Sequence, residues 1–262
     1  MSDYLQSQID DQGVATLTLN RPEVHNAFDD TLITALIEQL GCLESDPRVR
    51  LLVLAASGKS FSAGADLGWM RRMADYSRRE NLHDSLNLAE LMKALHGFRR
   101  PTIALVQGAA YGGGVGLVAC CDIVVASQRA TFCLSEVKLG LIPAVISPYV
   151  VSAMGARMAR RYFLSAERFG AEEARRLHLV HEVVAPEELQ ARGEECCRVL
   201  LQNGPGAMAA AKDLVSAVER GPIDDSMLRN TAERIADTRA SAEGREGLTA
   251  FLEKRPPFWV KG

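Results

Sequence analysis

The residues of this chain best suited to chemistry are three consecutive glycines, Gly112-Gly113-Gly114, and an acid, Glu136, that follows Gly116 by twenty positions. The glycines stand between the apolar runs Ile103-Ala104-Leu105-Val106 and Leu117-Val118-Ala119, which reads as a tight turn into a helix. Amides at a helix N-terminus lack internal acceptors, and the helix dipole makes them favour an anion or a developing negative charge. Without side chains, the turn lets a ligand lie against those amides. Glu136 is the downstream acid that could act as a base beside it, and position 116 holds glycine rather than a second acid. A second turn, Ala63-Gly64-Ala65-Asp66, takes the same place after the preceding apolar run. Two such turns at the same ends of neighbouring strands can aim one N–H each at a single point. A carbonyl oxygen held there is stabilised as it gains charge, each donor contributing about 3 kcal/mol in the transition state. Taken singly, either turn is a weak signal and reads more readily as an ordinary strand-to-helix connection.

Alternating segments must position these turns. Residues 13–20 alternate in the strand manner and end at Arg21-Pro22, and residues 30–44 carry apolar residues at helical spacing. Residues 50–56 form an apolar run like a strand buried on both faces. A polar loop follows at Ser57-Gly58-Lys59-Ser60, then a charged helical region over about 76–97. Pro101 opens a strand at Thr102–Val106, which leads into the glycine turn and a helix at about 115–120. Asp122–Ala126 and Thr131-Phe132-Cys133 read as further strands, and Val180–Val184 as a short extended piece. Segments 151–164, 170–177, 187–202, 205–219 and 224–240 have helical periodicity. The pattern predicts an α/β core over 1–195 with crossover connections, followed by a helical C-terminal region over 196–262. Arg255-Pro256-Pro257-Phe258-Trp259 cannot continue a helix, and its aromatics suit contact with another subunit.

Composition narrows the function classes. With 262 residues, 47% hydrophobic, and a net charge of −3, the chain expects no nucleic-acid or membrane-surface partner. Met1-Ser2-Asp3-Tyr4 shows no secretory leader, and five of the six cysteines sit in adjacent pairs or apolar settings, the pattern of reduced buried thiols in a cytoplasmic protein. No histidine pair has helical metal-ligand spacing beside an acid, so no metal site is expected. His25 reads as a loop residue, and His83 and His96, in the helical region after the first turn, read as solvated surface positions. His178 has no functional account. Arg71, Arg72, Arg78 and Arg79 read as a solvated face, with a substrate anion as the alternative.

In combination these motifs resemble the crotonase, or enoyl-CoA hydratase/isomerase, family over nearly the whole chain. The matching residues are Leu19-Asn20-Arg21-Pro22, Asn26-Ala27, Phe61-Ser62-Ala63-Gly64-Ala65-Asp66-Leu67, Pro101-Thr102-Ile103-Ala104, Gly108 and Gly112-Gly113-Gly114. They continue with Cys121-Asp122-Ile123, Glu136–Gly140, Ile142-Pro143, Ala171-Glu172-Glu173-Ala174, Leu179-Val180 and Phe251–Arg255. The resemblance implies a crotonase-like spiral of ββα repeats with a helical C-terminal trimerisation region, as a homotrimer or dimer of trimers. It implies an acyl-CoA substrate, with CoA part of that substrate and no separate cofactor. The N–H groups of Ala65 and Gly113 are then the oxyanion donors, and Glu136 the catalytic acid–base. Ala63, Ala65 and Leu67 line the pantetheine and adenine path near Ala27, and Lys59 and Lys254 meet the CoA phosphates, with solvated surface lysines as the alternative. Asp66, Gly112, Gly116, Tyr149 and Phe251 complete the expected substrate- and CoA-binding set.

Family hydratases carry two glutamates, two residues after the glycine triplet and twenty residues further on. Here the first position is Gly116 and the second Glu136. A single base matches the proton shuttle of the family's Δ3,Δ2-enoyl-CoA isomerases. The stretch Gly140–Val150, with Arg161–Leu164 and Ala166–Phe169, instead resembles the branch of methylglutaconyl-CoA and γ-carboxygeranoyl-CoA hydratases. The leading expectation is therefore hydration of 3-methylglutaconyl-CoA by Glu136, with the substrate or Tyr149 helping to hold the water. The alternatives are an isomerase and a catalytically silent acyl-CoA-binding protein, though a pure binder has no need of Glu136.

Overall fold

Apolar runs without polar alternation become parallel strands covered on both faces, and three of them organise this molecule. The structure is a computed structural model that describes residues 4–219 and 221–260. Met1, Ser2 and Asp3, on which the leader expectation rests, lie outside the described residues. The strands are β1 (Leu5–Ile9), β2 (Val14–Leu19), β3 (Leu51–Ala56), β4 (Ser60–Ser62) and β5 (Thr102–Val106). They continue with β6 (Ala109–Tyr111), β7 (Ile123–Ser127), β8 (Thr131–Cys133), β9 (Phe169–Gly170) and β10 (Glu182–Val184). The helices begin with α1 (Asp30–Ser45), α2 (Leu67–Ala74), α3 (Arg78–His96), α4 (Gly113–Cys120) and α5 (Ser147–Ser165). After them come α6 (Ala171–Arg176), α7 (Leu189–Leu201), α8 (Pro205–Val218), α9 (Asp225–Ala240) and α10 (Ala242–Glu253).

Six strands form one sheet in the order β1-β2-β3-β5-β7-β10, and four short ones form a second in the order β4-β6-β8-β9. The β1–β2 hairpin is antiparallel, whereas β2, β3, β5, β7 and β10 run parallel. Each long central strand continues within a few residues into a short strand of the second sheet and then into a helix. The units β3-β4-α2, β5-β6-α4 and β7-β8-α5 thus repeat one ββα turn, which is the expected crotonase-like spiral. Because β4, β6 and β8 lie side by side in parallel, the turns that follow β4 and β6 meet at one edge.

The main core fills the space between the sheets and α1, α3, α4 and α5, with Phe28, Phe61, Phe98 and Phe132 among its fully buried side chains. On the outer face of the large sheet, Leu51, Val53, Ile103, Leu105 and Val125 pack against Leu189, Cys196, Cys197 and Leu201 of α7. Residue 195, where the sequence division falls, is inside this helix. By contrast, α8 and α9 contain no buried residue, and Ala250 is the buried residue of α10. The ion pair Lys212–Asp122, at 2.7 Å, ties α8 to the core. Cys42 is exposed, and the other five cysteines are buried free thiols. Among the described residues, no helix is long and apolar enough to cross a membrane.

Candidate active site

Both glycine turns contain one residue that only glycine accommodates readily. Gly64 has φ +93° and Gly112 has φ +50° with ψ −118°. Each therefore reorients the peptide that follows, and the next residues are Ala65 and Gly113. Phe28 pairs with the first turn as a short parallel bridge. Its N–H donates to the Gly64 carbonyl at 2.7 Å, and its carbonyl accepts from the Asp66 N–H at 2.7 Å. This leaves the intervening Ala65 N–H with no acceptor among the described residues. The Gly113 N–H opens α4 and likewise donates to no described residue. The turns touch: a Cβ built on Gly112 would lie 3.9 Å from the Gly64 Cα, and one built on Gly114 would lie 2.8 Å from the Ser62 carbonyl oxygen. The structure thus brings the two predicted donors together on backbone contact, with Ala63, Ala65 and Leu67 exposed along the first turn and Gly64 buried beneath them.

Glu136 starts a 3-10 turn over Glu136–Leu139, directly after β8. Its Oε1 would stand 3.2 Å from a Cβ on Gly112, so the carboxyl lies against the oxyanion turn. Its Oε2 is buried without a hydrogen-bond partner among the described residues. Burial raises its pKa above the ordinary glutamate value, partly offset by a hydrogen bond from its own backbone N–H. A buried carboxyl with an unused oxygen, beside two unused amide donors, is an arrangement for moving a proton next to a carbonyl held by those donors.

The place where a second acid would stand is filled. A Cβ on Gly116 would lie 2.3 Å from Ile146 Cγ2, 3.0 Å from Ile146 Cβ and 3.1 Å from Met92 Sδ. Position 116 therefore has no room for a glutamate beside the present neighbours. Ile146 and Met92 were not singled out in the sequence, since they lie 30 and 24 residues from Gly116 and only the fold brings them to it.

Other predicted residues divide by position. Asp66 caps α2, accepting from the Gly68 and Trp69 N–H groups at 2.8 and 3.1 Å, and lies 3.7 Å from the Arg21 guanidinium. Arg21 also pairs with Asp29 at 2.7 Å and donates to the Ala27 carbonyl at 3.1 Å. Buried Asn26 donates to the carbonyls of Ser57 and Ser60. Together these bonds pin the Ala27–Phe28 segment against the first turn. Lys59 lies with Arg129, Ser60, Gln107 and Ser127 in a surface pocket at the opposite end of β4 from Ala63. The Tyr149 ring packs on His96 with centroids 5.1 Å apart, and no hydrogen bond joins it to Glu136. Phe251 and Lys254 are exposed on and just after α10, with no hydrogen bond or ion pair to either turn among the described residues. Among the described residues, no group of three or more His, Cys, Asp or Glu side chains is placed to hold a metal ion.

Comparison with known proteins agrees with this geometry. An enoyl-CoA hydratase from Shewanella pealeana is 51% identical, covering 98% of this chain and 96% of its own, with a TM-score of 0.95. The crotonyl-CoA hydratase of Syntrophomonas wolfei is 33% identical over 95% of both chains. The 2,3-dehydroadipyl-CoA hydratase of Escherichia coli is 30% identical over 98% of both. The family profile described as enoyl-CoA hydratase/isomerase matches residues 10–262. With paired oxyanion turns, a half-buried glutamate whose Oε2 lies out of solvent beside them and a match over nearly its full length, the chain belongs to the enoyl-CoA hydratase/isomerase family.

Proposed function

We propose that the protein adds water to 3-methylglutaconyl-CoA, giving 3-hydroxy-3-methylglutaryl-CoA. The observation that carries the chemistry is Glu136, its carboxyl against Gly112 with Oε2 buried and unpaired, beside the free amides of Ala65 and Gly113. The thioester oxygen accepts from those two amides. Glu136 takes a proton from water as the hydroxyl bonds to C3, and the C2=C3 electrons move onto the thioester as an enolate. Glu136 then returns a proton to C2, so one water is added in all. The hydratase names of the relatives support the reaction type, and 2,3-dehydroadipyl-CoA in one of those names supports a substrate with a distal carboxylate. In this reading Ala63, Leu67 and Ala27 line the CoA path. Lys59 and Lys254 meet its phosphates, Lys254 from a neighbouring subunit of a trimer or dimer of trimers. CoA enters as part of the substrate, and the protein works in a reducing cytoplasm.

A second reading, Δ3,Δ2-enoyl-CoA isomerisation, draws on Ile146 occupying the place of a second acid. Absorbance of the conjugated thioester separates the two. Hydration removes that signal from 3-methylglutaconyl-CoA, whereas isomerisation creates it from a 3-enoyl-CoA. Signal gained from the 3-enoyl compound, with none lost from 3-methylglutaconyl-CoA, overturns the hydratase reading. No change with either leaves only acyl-CoA binding.

A further inference from the structure

Gly112 and Gly116 lie four residues apart, one above the other at the start of α4 and about 6 Å apart by the helical rise. A different side chain stands over each. Glu136 Oε1 lies 3.2 Å from a Cβ on Gly112, and Ile146 Cγ2 lies 2.3 Å from a Cβ on Gly116. Ile146 is 3% exposed, and Met92, whose sulfur lies 3.1 Å from the same Gly116 Cβ, is fully buried. Cys120, one further turn along α4, donates to the Met92 sulfur at 3.8 Å. The carboxyl is thus followed along the helix by an apolar wall. An acyl chain whose carbonyl oxygen sits on the Gly113 amide has its first carbons beside this face.

We infer that Ile146, backed by Met92, reads the substituent on C3, and that the substrates are 2-enoyl thioesters with a methyl-sized branch there. This rests on the hydratase reading above. When water held by Glu136 attacks C3, the branch on that carbon must turn away from the water. A carboxylate at position 116 would lose hydration against such a methyl group, whereas an isoleucine packs against it. The branch itself does not react: the C3–OH and C2–H bonds form as the C2=C3 π bond opens. A single methyl group in an apolar pocket commands roughly 10- to 200-fold in kcat/KM.

The test compares 3-methylglutaconyl-CoA with glutaconyl-CoA, which differ only in the C3 methyl, in the wild type, Ile146→Val and Ile146→Ala. The expected result is a wild-type preference for the methyl compound of at least about ten-fold. Ile146→Ala should reduce that ratio roughly ten-fold, and Ile146→Val should reduce it by a smaller factor while keeping the fold. Loss should fall on the branched substrate, with the unbranched rate little changed. Hydration of both compounds with a ratio that neither variant moves overturns this inference and leaves the hydratase reading standing. A wild type that hydrates neither overturns both.

Discussion

A carboxyl group buried with one oxygen unpaired is hard to ionise, and Glu136 accordingly sits above the ordinary glutamate value of 4.5 because of burial. Its ionised form is the one that can take a proton from water, so kcat/KM is expected to fall as pH drops through this raised value. Folding responds with the opposite sense. A carboxyl whose folded-state value is the higher one favours the native state fully below its unfolded value, and that contribution is lost as pH rises through the folded value. Glu136→Gln, which cannot ionise, should therefore melt above the wild type at pH 8, with the gap closing toward pH 4. Scanning calorimetry across that range checks the sign, and a gap that widens on acidification contradicts it. The acid itself was legible in the sequence from its spacing to the glycines. Its neighbours were not, because Ile146 and Met92 reach Gly116 only through the packing of α3, α4 and the segment before α5.

The elements around the site transmit small changes directly to it. Gly113 would place a Cβ 3.2 Å from the Phe28 ring, so Gly113→Val must shift the turn and re-aim its amide. About a hundred-fold loss in kcat with little change in KM is expected, the scale of losing one oxyanion donor. Steady-state kinetics decides this, and a change confined to KM contradicts it. Gly116→Glu should not restore a two-acid site, since its Cβ alone overlaps Ile146. It should instead destabilise the protein by about 1–3 kcal/mol, read as a lower Tm, with no gain in activity. The long parallel strands β3, β5 and β7 were readable as apolar runs, α1 from its periodicity and α3 as a charged helical region. Strands of two or three residues, β4, β6 and β9, hold too few positions to show alternation. The helix α4 begins at Gly113 rather than near 115, because glycines carry no periodic signal. Also unread were β1, whose buried and exposed residues do not follow an apolar run, and α10, whose 12 residues include Gly244 and Gly247.

At the scale of the whole molecule, the last three helices leave apolar side chains in solvent. Phe251 is 79% exposed and Leu252 78%, and Leu248 on the same helix is also exposed. Such a surface is expected to be covered by further copies of the chain, as the proposed trimer requires. Phe251→Asp combined with Leu252→Asp should therefore shift sedimentation velocity from a trimer or hexamer toward monomer, while a wild type that already sediments as a monomer contradicts the proposed assembly. The helical C-terminal region was legible from its periodicity, but the lack of a buried residue in α8 and α9 within one chain was not, because sequence periodicity does not say which chain supplies the partner. The central claim is that one half-buried glutamate beside two free amides suffices for hydration. The most direct measurement follows loss of the conjugated thioester absorbance of 3-methylglutaconyl-CoA with the wild type and with Glu136→Gln. The prediction is turnover by the wild type and a loss of at least about 10²-fold in the variant; Glu136→Gln turning over at the wild-type rate would contradict it.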